Sequence, residues 1–270
     1  MPKPSIGMFN APQSLRQLTR GRGWNSELTG FLLPFARQDY VYWEDDFLSD
    51  TLSTVYWAVA STAAATSITD FAQGSLESGT LRGDTGTDDN AQIAIYFTGG
   101  ATGPLFDAAR NPGTEIRFKT DVITSWDCEI AFTDPKTDEA LTACDPDAPV
   151  AENGVTDFAG LVLDTDDTIK TFVVAGYGTT DTTGVAVSAG AFMPVAATYS
   201  TYLVQAGANK VFGIIDNNFA YSGYTQALAV SPVGPDTGIL MRPSYIFGSR
   251  VASAQKTIDI DYIRIWAERY

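Results

Sequence analysis

The 270-residue chain contains no histidine. That removes Ser-His-Asp and Cys-His catalysis, and with them the commonest transition-metal ligand. Any acid or base chemistry must rest on Asp, Glu, Tyr or Lys. Cysteine is nearly absent as well. Only Cys128 and Cys144 are present, with no Cys-x-x-Cys pair, so a thiolate metal cage is not expected. Residues 133–143 between them read as a loop, which makes a bridge conceivable. Reduced, inert thiols are the expectation. No apolar run reaches the roughly 18 residues that cross a bilayer as a helix. The first residues, Met1-Pro-Lys-Pro-Ser-Ile-Gly-Met-Phe, lack the apolar core of a secretory signal, so synthesis and assembly in a cytoplasm are expected.

Cations are also scarce: 17 Lys and Arg stand against 32 Asp and Glu, a net charge of −15. The imbalance is uneven. Residues 1–40 carry Lys3, Arg16, Arg20, Arg22 and Arg37 against Glu27 and Asp39, and are net positive. The remainder is strongly acidic and repels phosphate backbones, which argues against nucleic-acid binding.

A chain of this size buries roughly three quarters of its unfolded surface and needs no covalent staple. From Tyr40 onward it reads as short strands and turns. Strands are predicted over 40–48, 54–61, 75–83, 91–98, 114–124, 126–133, 157–164, 168–175, 198–206, 209–216, 219–223, 239–248 and 256–267. In 114–120, Ile116 and Phe118 point inward while Glu115, Arg117 and Lys119 point outward. In the last strand Ile258, Ile260 and Tyr262 fall on one face, Asp259 and Asp261 on the other. Such a β-branched, aromatic-rich closing segment must pair with strands made much earlier, in the middle of a sheet. Residues 134–156 and 176–197 read as long loops. Asp216-Asn-Asn reads as a tight hairpin turn into 219–223. The pattern predicts an all-β, two-sheet antiparallel jelly-roll sandwich over 41–270. Residues 1–40 are predicted to form an extended N-terminal arm.

Three stretches resemble concanavalin A-like lectin/glucanase (laminin-G-like) domains. They are Glu44-Asp-Asp-Phe-Leu with Trp57, the hairpin Lys210-Val-Phe-Gly-Ile-Ile-Asp-Asn-Asn-Phe, and the terminal Ile260-Asp-Tyr-Ile-Arg-Ile-Trp. The resemblance covers residues 41–270 and extends to family 16 glycoside hydrolases and their non-catalytic relatives, among them structural proteins of tailed-phage virions. Family 16 enzymes place Glu-x-Asp-x-x-Glu on one strand. Alternate residues then share a face about 7 Å apart, near the roughly 5–5.5 Å that a retaining glycosidase requires. This chain lacks the triplet. Asp127-x-Glu129 has Phe132 in the third place, Asp259-x-Asp261 has Arg264, and Glu44-x-Asp46 has Ser49. No catalytic residue is therefore assigned.

Lectin-like sandwiches often hold Ca²⁺ with loop carboxylates. The richest loops here carry Asp84 with Asp88 and Asp164 with Asp166, which are candidate ligands, although neither loop fits an EF-hand. Trp43, Trp57, Trp126 and Trp266 sit in strand patterns and are expected in the core. Trp24 is expected to anchor a partner. The virion resemblance implies a non-enzymatic capsid decoration protein on the virion surface, with the arm docking on the major capsid protein or other virion proteins. Phe9, Leu15, Leu18, Trp24, Phe31, Leu32, Leu33 and Phe35 would be buried on that partner, and Arg16, Arg20, Arg22 and Arg37 would match its charge. Copies are expected to associate. The alternative is a glycan-binding lectin-like module, and a family 16-like hydrolase is the third option.

Overall fold

A computed structural model describes residues 40–48, 52–62, 69–73, 79–98, 106–145, 152–166, 171–179, 185–188, 194–207, 210–216, 226–231, 233–252 and 254–268. Tyr40 opens the first strand, but residues 1–39 of the arm expected over 1–40, with every docking residue assigned to it, lie outside them. So do the expected strand 219–223 and the turn before it.

Sixteen strands run through the described residues. The first eight are β1 (Tyr40–Asp45), β2 (Trp57–Ser61), β3 (Thr69–Gln73), β4 (Leu81–Asp84), β5 (Ala91–Phe97), β6 (Phe106–Asp107), β7 (Gly113–Thr120) and β8 (Trp126–Thr133). The rest are β9 (Phe158–Asp164), β10 (Val173–Tyr177), β11 (Val185–Ser188), β12 (Ser200–Gly207), β13 (Lys210–Asp216), β14 (Gln226–Ser231), β15 (Leu240–Ser249) and β16 (Thr257–Glu268). One sheet, A, has the order β14-β13-β12-β7-β16-β4-β3, with β1 beside β16. The other, B, has the order β11-β10-β9-β8-β15-β5-β2, with β6 beside β15. Every pairing is antiparallel.

The closing strand sits mid-sheet, as its composition predicts. β16 has β7 along one side, and β4 and then β1 along the other. The predicted sandwich is present, and its two inner faces make one core. Phe118 of sheet A stacks on Tyr202 at 4.6 Å and meets Phe247 of sheet B edge-on at 4.9 Å. Each such fully buried aromatic contributes about 1.5–3 kcal/mol relative to exposure. Tyr245 of sheet B reaches Thr114 Oγ1 of sheet A across the core, and Thr114 Oγ1 donates to the Arg264 carbonyl at 2.9 Å. The Glu44-Asp-Asp-Phe element is tied in by Asp45, which accepts from Phe47 N and from Trp57 Nε1, both at 2.8 Å.

Several expectations need correction. Tyr262 does not share a face with Ile258 and Ile260. A β-bulge at Asp261 shifts the register against β7, because Ile260 pairs Phe118 and Tyr262 already pairs Arg117. An extra residue on one strand inverts its alternation beyond that point. Ile263, Ile265 and Ala267 therefore continue the core, and Tyr262, Arg264 and Trp266 turn outward. Trp57 and Trp126 are core residues and Trp43 packs against the core. Trp266 is also fully buried, but on the outer face of sheet A, across from Gly113. The stretch 176–197 contains a strand, β11. β3 and the two-residue β6 were not anticipated, and the partner of β13 is β14, at 226–231. Cys128 and Cys144 are both free and buried, and burial raises both thiol pKa values well above the usual range. They lie in different apolar clusters, Cys128 between the sheets and Cys144 on the outer side of sheet B.

Gly113 carries the indole of Trp266 on its bare Cα, where a Cβ would overlap the ring. Gly113→Ala should therefore destabilise the protein by about 1–3 kcal/mol, the usual cost of forced overpacking. Urea denaturation followed by tryptophan fluorescence measures it.

Candidate functional site: a polar groove on the outer face of sheet B

Strand pairing brings four residues into one row across the outer face of sheet B. Gly248 of β15 pairs Gln92 of β5 on one side and Asp127 of β8 on the other, and Asp127 pairs Asp164 of β9. The glycine makes the row work. Its missing side chain leaves room for the Asp127 carboxylate, whose Oδ1 would overlap any Cβ there. Gln92 reaches across the gap and donates from Nε2 to Asp127 Oδ2. Arg250, just past β15, donates to Asn90 Oδ1 at 2.6 Å and pairs with Asp164 Oδ2 at 2.7 Å.

Residues 134–145 and 152–156 fold over the next row and wall the groove. Thr137 N donates to the Asn153 carbonyl and Glu152 N to the Ala143 carbonyl, which joins the two segments. A buried ion pair clamps them to the sheet. Lys136 Nζ lies 3.0 Å from Glu129 Oε1 and also donates to the Leu141 carbonyl and to Ser244 Oγ. Glu129 Oε2 accepts from Ala143 N at 2.6 Å. Neither side chain of the pair has exposed surface. Burial pulls the Lys136 pKa down, and the adjacent Glu129 opposes that shift.

The result is two adjoining cavities of about 470 and 210 Å³ that share Thr142, Glu152 and Arg250. Asn90, Gln92, Leu141 and Asn153 line the first; Asp127, Cys144, Asp145 and Asp164 help line the second. Two buried acceptors, Gln92 Oε1 and Asp127 Oδ1, have no hydrogen-bond partner. Burial, then the neighbouring Asp164, pushes the Asp127 pKa up to about 7, with Arg250 acting against the shift.

The structure separates the candidate carboxylates. Asp127 and Glu129 do share the outer face of β8, but only Asp127 borders a cavity; Glu129 is enclosed by its lysine. Asp259 is held by Arg82 at 2.6 Å and Lys119 at 3.3 Å, Asp261 by Arg117, and Glu44 by Arg264 at 2.7 Å. Of the Ca²⁺ candidates, Asp84 accepts from the Thr257 hydroxyl. Asp164 accepts from Asp166 N and pairs with Arg250. Asp88 lies apart from these, in the turn before β5, where its carbonyl accepts from Ala91 N. Among the described residues no group of three or more Asp, Glu or Cys is placed to hold a metal ion. Gln92, Gly248 and Arg250 went unread in the sequence, because their adjacency to Asp127 exists only through long-range pairing.

No family profile and no curated protein matches the chain. Solved structures do. Arcelin-5, a lectin-like defence protein of Phaseolus vulgaris, superposes with a TM-score of 0.54 at 8% identity, over 85% of this chain and 99% of its own. Peanut lectin superposes with a TM-score of 0.53 at 13% identity, over 84% and 97%. A pseudo β-1,3-glucanase and immunostimulatory antigen of Mycobacterium tuberculosis gives 0.51 at 10% identity, over 84% and 98%. The chain has the concanavalin A-like fold. At these identities the likeness is one of architecture.

Two predictions follow from the buried charges. An aspartate whose folded pKa is raised gives stability that is full below its unfolded value, near 3.8, and is lost as pH rises to about 7. The loss at full shift is on the order of 4 kcal/mol. Asp127→Asn should remove it, so the variant gains on the parent between pH 4 and pH 8 in urea unfolding. Equal pH profiles would show that Asp127 ionises normally. In the clamp, Glu129→Gln or Lys136→Met alone should cost about 3–5 kcal/mol and the double change less, because only the single variants strand a buried charge. A double-mutant cycle reads the coupling.

Proposed function

We propose that this chain is a non-enzymatic, lectin-like carbohydrate-recognition module whose site is the groove on the outer face of sheet B. The observation that carries the reading is the pair of buried, unpartnered acceptors, Gln92 Oε1 and Asp127 Oδ1, among lining residues that include two further amides, the Thr142 hydroxyl and three further carboxylates beside Leu141, Cys144, Val162, Leu163 and Arg250. An unsatisfied buried acceptor costs about 1–3 kcal/mol. A ligand rich in hydroxyl donors removes that cost. The larger cavity falls in the usual range of small-ligand sites, about 300–1,000 Å³. The similar solved structures, a lectin and a lectin-like protein among them, support the same reading.

The carboxylate chemistry supports binding over hydrolysis. A glycosidase needs two carboxyl groups facing the same bond. Here Glu129 is sealed behind Lys136 and Ala143 N, and Asp164 is held by Arg250. On the strand Asp127 has no second free carboxylate beside it; Asp145 and Glu152 line the same cavity from the wall segments.

The role of capsid decoration is a narrower proposal. In it the module is displayed on a virion, its arm docks on the major capsid protein, and copies associate. Its support is the apolar and basic make-up of residues 1–40.

A glycan array probed with the full chain should show binding that Gln92→Met and Thr142→Val each weaken; urea denaturation of each variant separates lost contact from lost stability, since Gln92→Met also strands the buried Asp127 carboxyl at a cost of about 1–3 kcal/mol. No binding to any glycan would end the reading. Release of reducing ends from β-glucans, agar or carrageenan, abolished by Asp127→Asn, would replace it with a hydrolase.

A further inference from the structure

We propose that residues 31–35 of this chain, Phe-Leu-Leu-Pro-Phe, fold back to cover the outer face of sheet A. The inference does not rest on the carbohydrate reading, and it concerns the opposite side of the molecule. It assigns Phe31, Leu32, Leu33 and Phe35 to the chain's own body and leaves residues 1–30 for any further partner.

The face is apolar where a two-layer sandwich would be wet. A sheet face open to water alternates polar residues with the core positions behind it. In sheet A the outward positions of β12 and β13 instead include Leu203, Gln205, Phe212 and Ile214, since Tyr202, Val204, Val211 and Ile215 take the core side. Trp266 of β16 joins them across Gly113 of β7, which pairs both Trp266 and Gln205. Leu203, Ile214 and Trp266 keep only 1%, 2% and 0% of their surface exposed. The face is therefore covered, yet all sixteen strands of the described residues belong to the two sheets and none forms a third layer over it. Two buried polar atoms in the Trp266–Gly113–Gln205 row have no hydrogen-bond partner: Trp266 Nε1, a donor, and Gln205 Oε1, an acceptor. One peptide carbonyl and one peptide N–H laid across the row would satisfy both, which apolar side chains alone would not.

The occupant follows from where the chain enters. β1 begins at Tyr40 opposite Glu268, and its Tyr42 pairs Trp266, so residues 1–39 join the body at the rim of this face. Phe35 precedes Tyr40 by five residues, a reach of about 17 Å. β12 is the third strand over from β1, about 14 Å across the sheet. The connector can therefore carry Phe35 over the row from Trp266 to Gln205. Phe31-Leu-Leu-Pro-Phe supplies four large apolar side chains, and Pro34 biases Leu33 toward extended backbone, which suits a segment laid flat on a sheet. Residues 217–225 are a weaker fit. They leave and rejoin the sheet at Asp216 and Gln226, beside Thr201 and at the opposite end of β12 from Gln205.

The test is solvent exchange of the Trp266 indole N–H, followed by NMR on the full chain carrying ¹⁵N-tryptophan and assigned with Trp266→Phe. Leu32→Asp combined with Leu33→Asp should speed that exchange at least about tenfold, the worth of burying one leucine side chain. Leu15→Asp combined with Leu18→Asp, the same charge change nearer the N-terminus, should leave it unchanged. In the unaltered chain the backbone amides of Phe31, Leu32 and Leu33 should exchange at least about tenfold more slowly than in a synthetic peptide of residues 28–38. That second measurement decides the matter even if the double variant does not fold. An indole equally protected after the Leu32 and Leu33 changes, or amides exchanging at the peptide rate, would overturn the proposal. So would exposure of the indole by the Leu15 and Leu18 changes as well. Exposure by Phe219→Ser with Tyr221→Ser alone would give the face to residues 217–225 instead. Protection that falls on dilution would give it to a second copy, and either result overturns a cover supplied by residues 31–35 of the same chain.

Discussion

The last strand of this chain is the one on which the sandwich depends. β16 occupies the centre of sheet A, between β7 on one side and β4 and β1 on the other. None of these neighbours can complete its ladder until the final dozen residues arrive, so sheet A closes only through contacts of very large sequence separation. Such pairing must cover its loop-closure entropy before any burial rewards it. β16 meets that demand on both faces. Ile258, Ile260, Ile263 and Ile265 fill the core, while Arg264 on the outer side joins Glu44 of β1 to Glu115 of β7. The bulge at Asp261 allows one strand to do both, because it resets the alternation where the partner along one edge changes from β4 to β1.

The two outer faces then diverge. On sheet A the carboxylates Glu44, Glu115, Asp259 and Asp261 each meet an arginine. That surface is electrostatically settled, with the Arg264–Glu115 pair in it buried. On sheet B Glu129 meets Lys136 and Asp164 meets Arg250, while Asp127 meets the amide of Gln92. A raised Asp127 pKa is the thermodynamic sign of the difference: the folded state prefers that carboxyl neutral. A carboxyl shifted by burial and a neighbouring charge, at the edge of a cleft, is a candidate functional group.

Fold and site were legible in the sequence to different depths. The sandwich could be read because inward–outward alternation is local: Ile116 and Phe118 against Glu115 and Arg117 need no knowledge of partners. The same rule failed at Tyr262, because a bulge adds a residue without marking it in composition. β11, in Val-Ala-Val-Ser, was hidden by the Gly- and Thr-rich residues around it. The pair Asp127 and Glu129 was visible as two carboxylates on one face. Their opposite fates were not, since these are decided by Lys136 from a loop and Gly248 from a strand more than a hundred residues away. A glycine among Phe247 and Ser249 carries no signal of its own; register alone makes it the gap through which Gln92 reaches Asp127.

Those opposite fates bear on how a groove is built on this fold. Burying the Glu129–Lys136 pair carries a desolvation cost that an apolar pair of similar volume would avoid. What it supplies is geometry. Lys136 spends its three donors on Glu129, Leu141 and Ser244, and Glu129 turns its other oxygen to Ala143 N. Two loop segments are thereby held in one place over an otherwise flat sheet. A flat outer face has no cavity; a fixed wall beside the row of Gln92, Asp127 and Asp164 creates one. The carboxylate enclosed by Lys136 is the one that shapes the groove, and Asp127, two residues away on the same strand, is the one that borders the cavity.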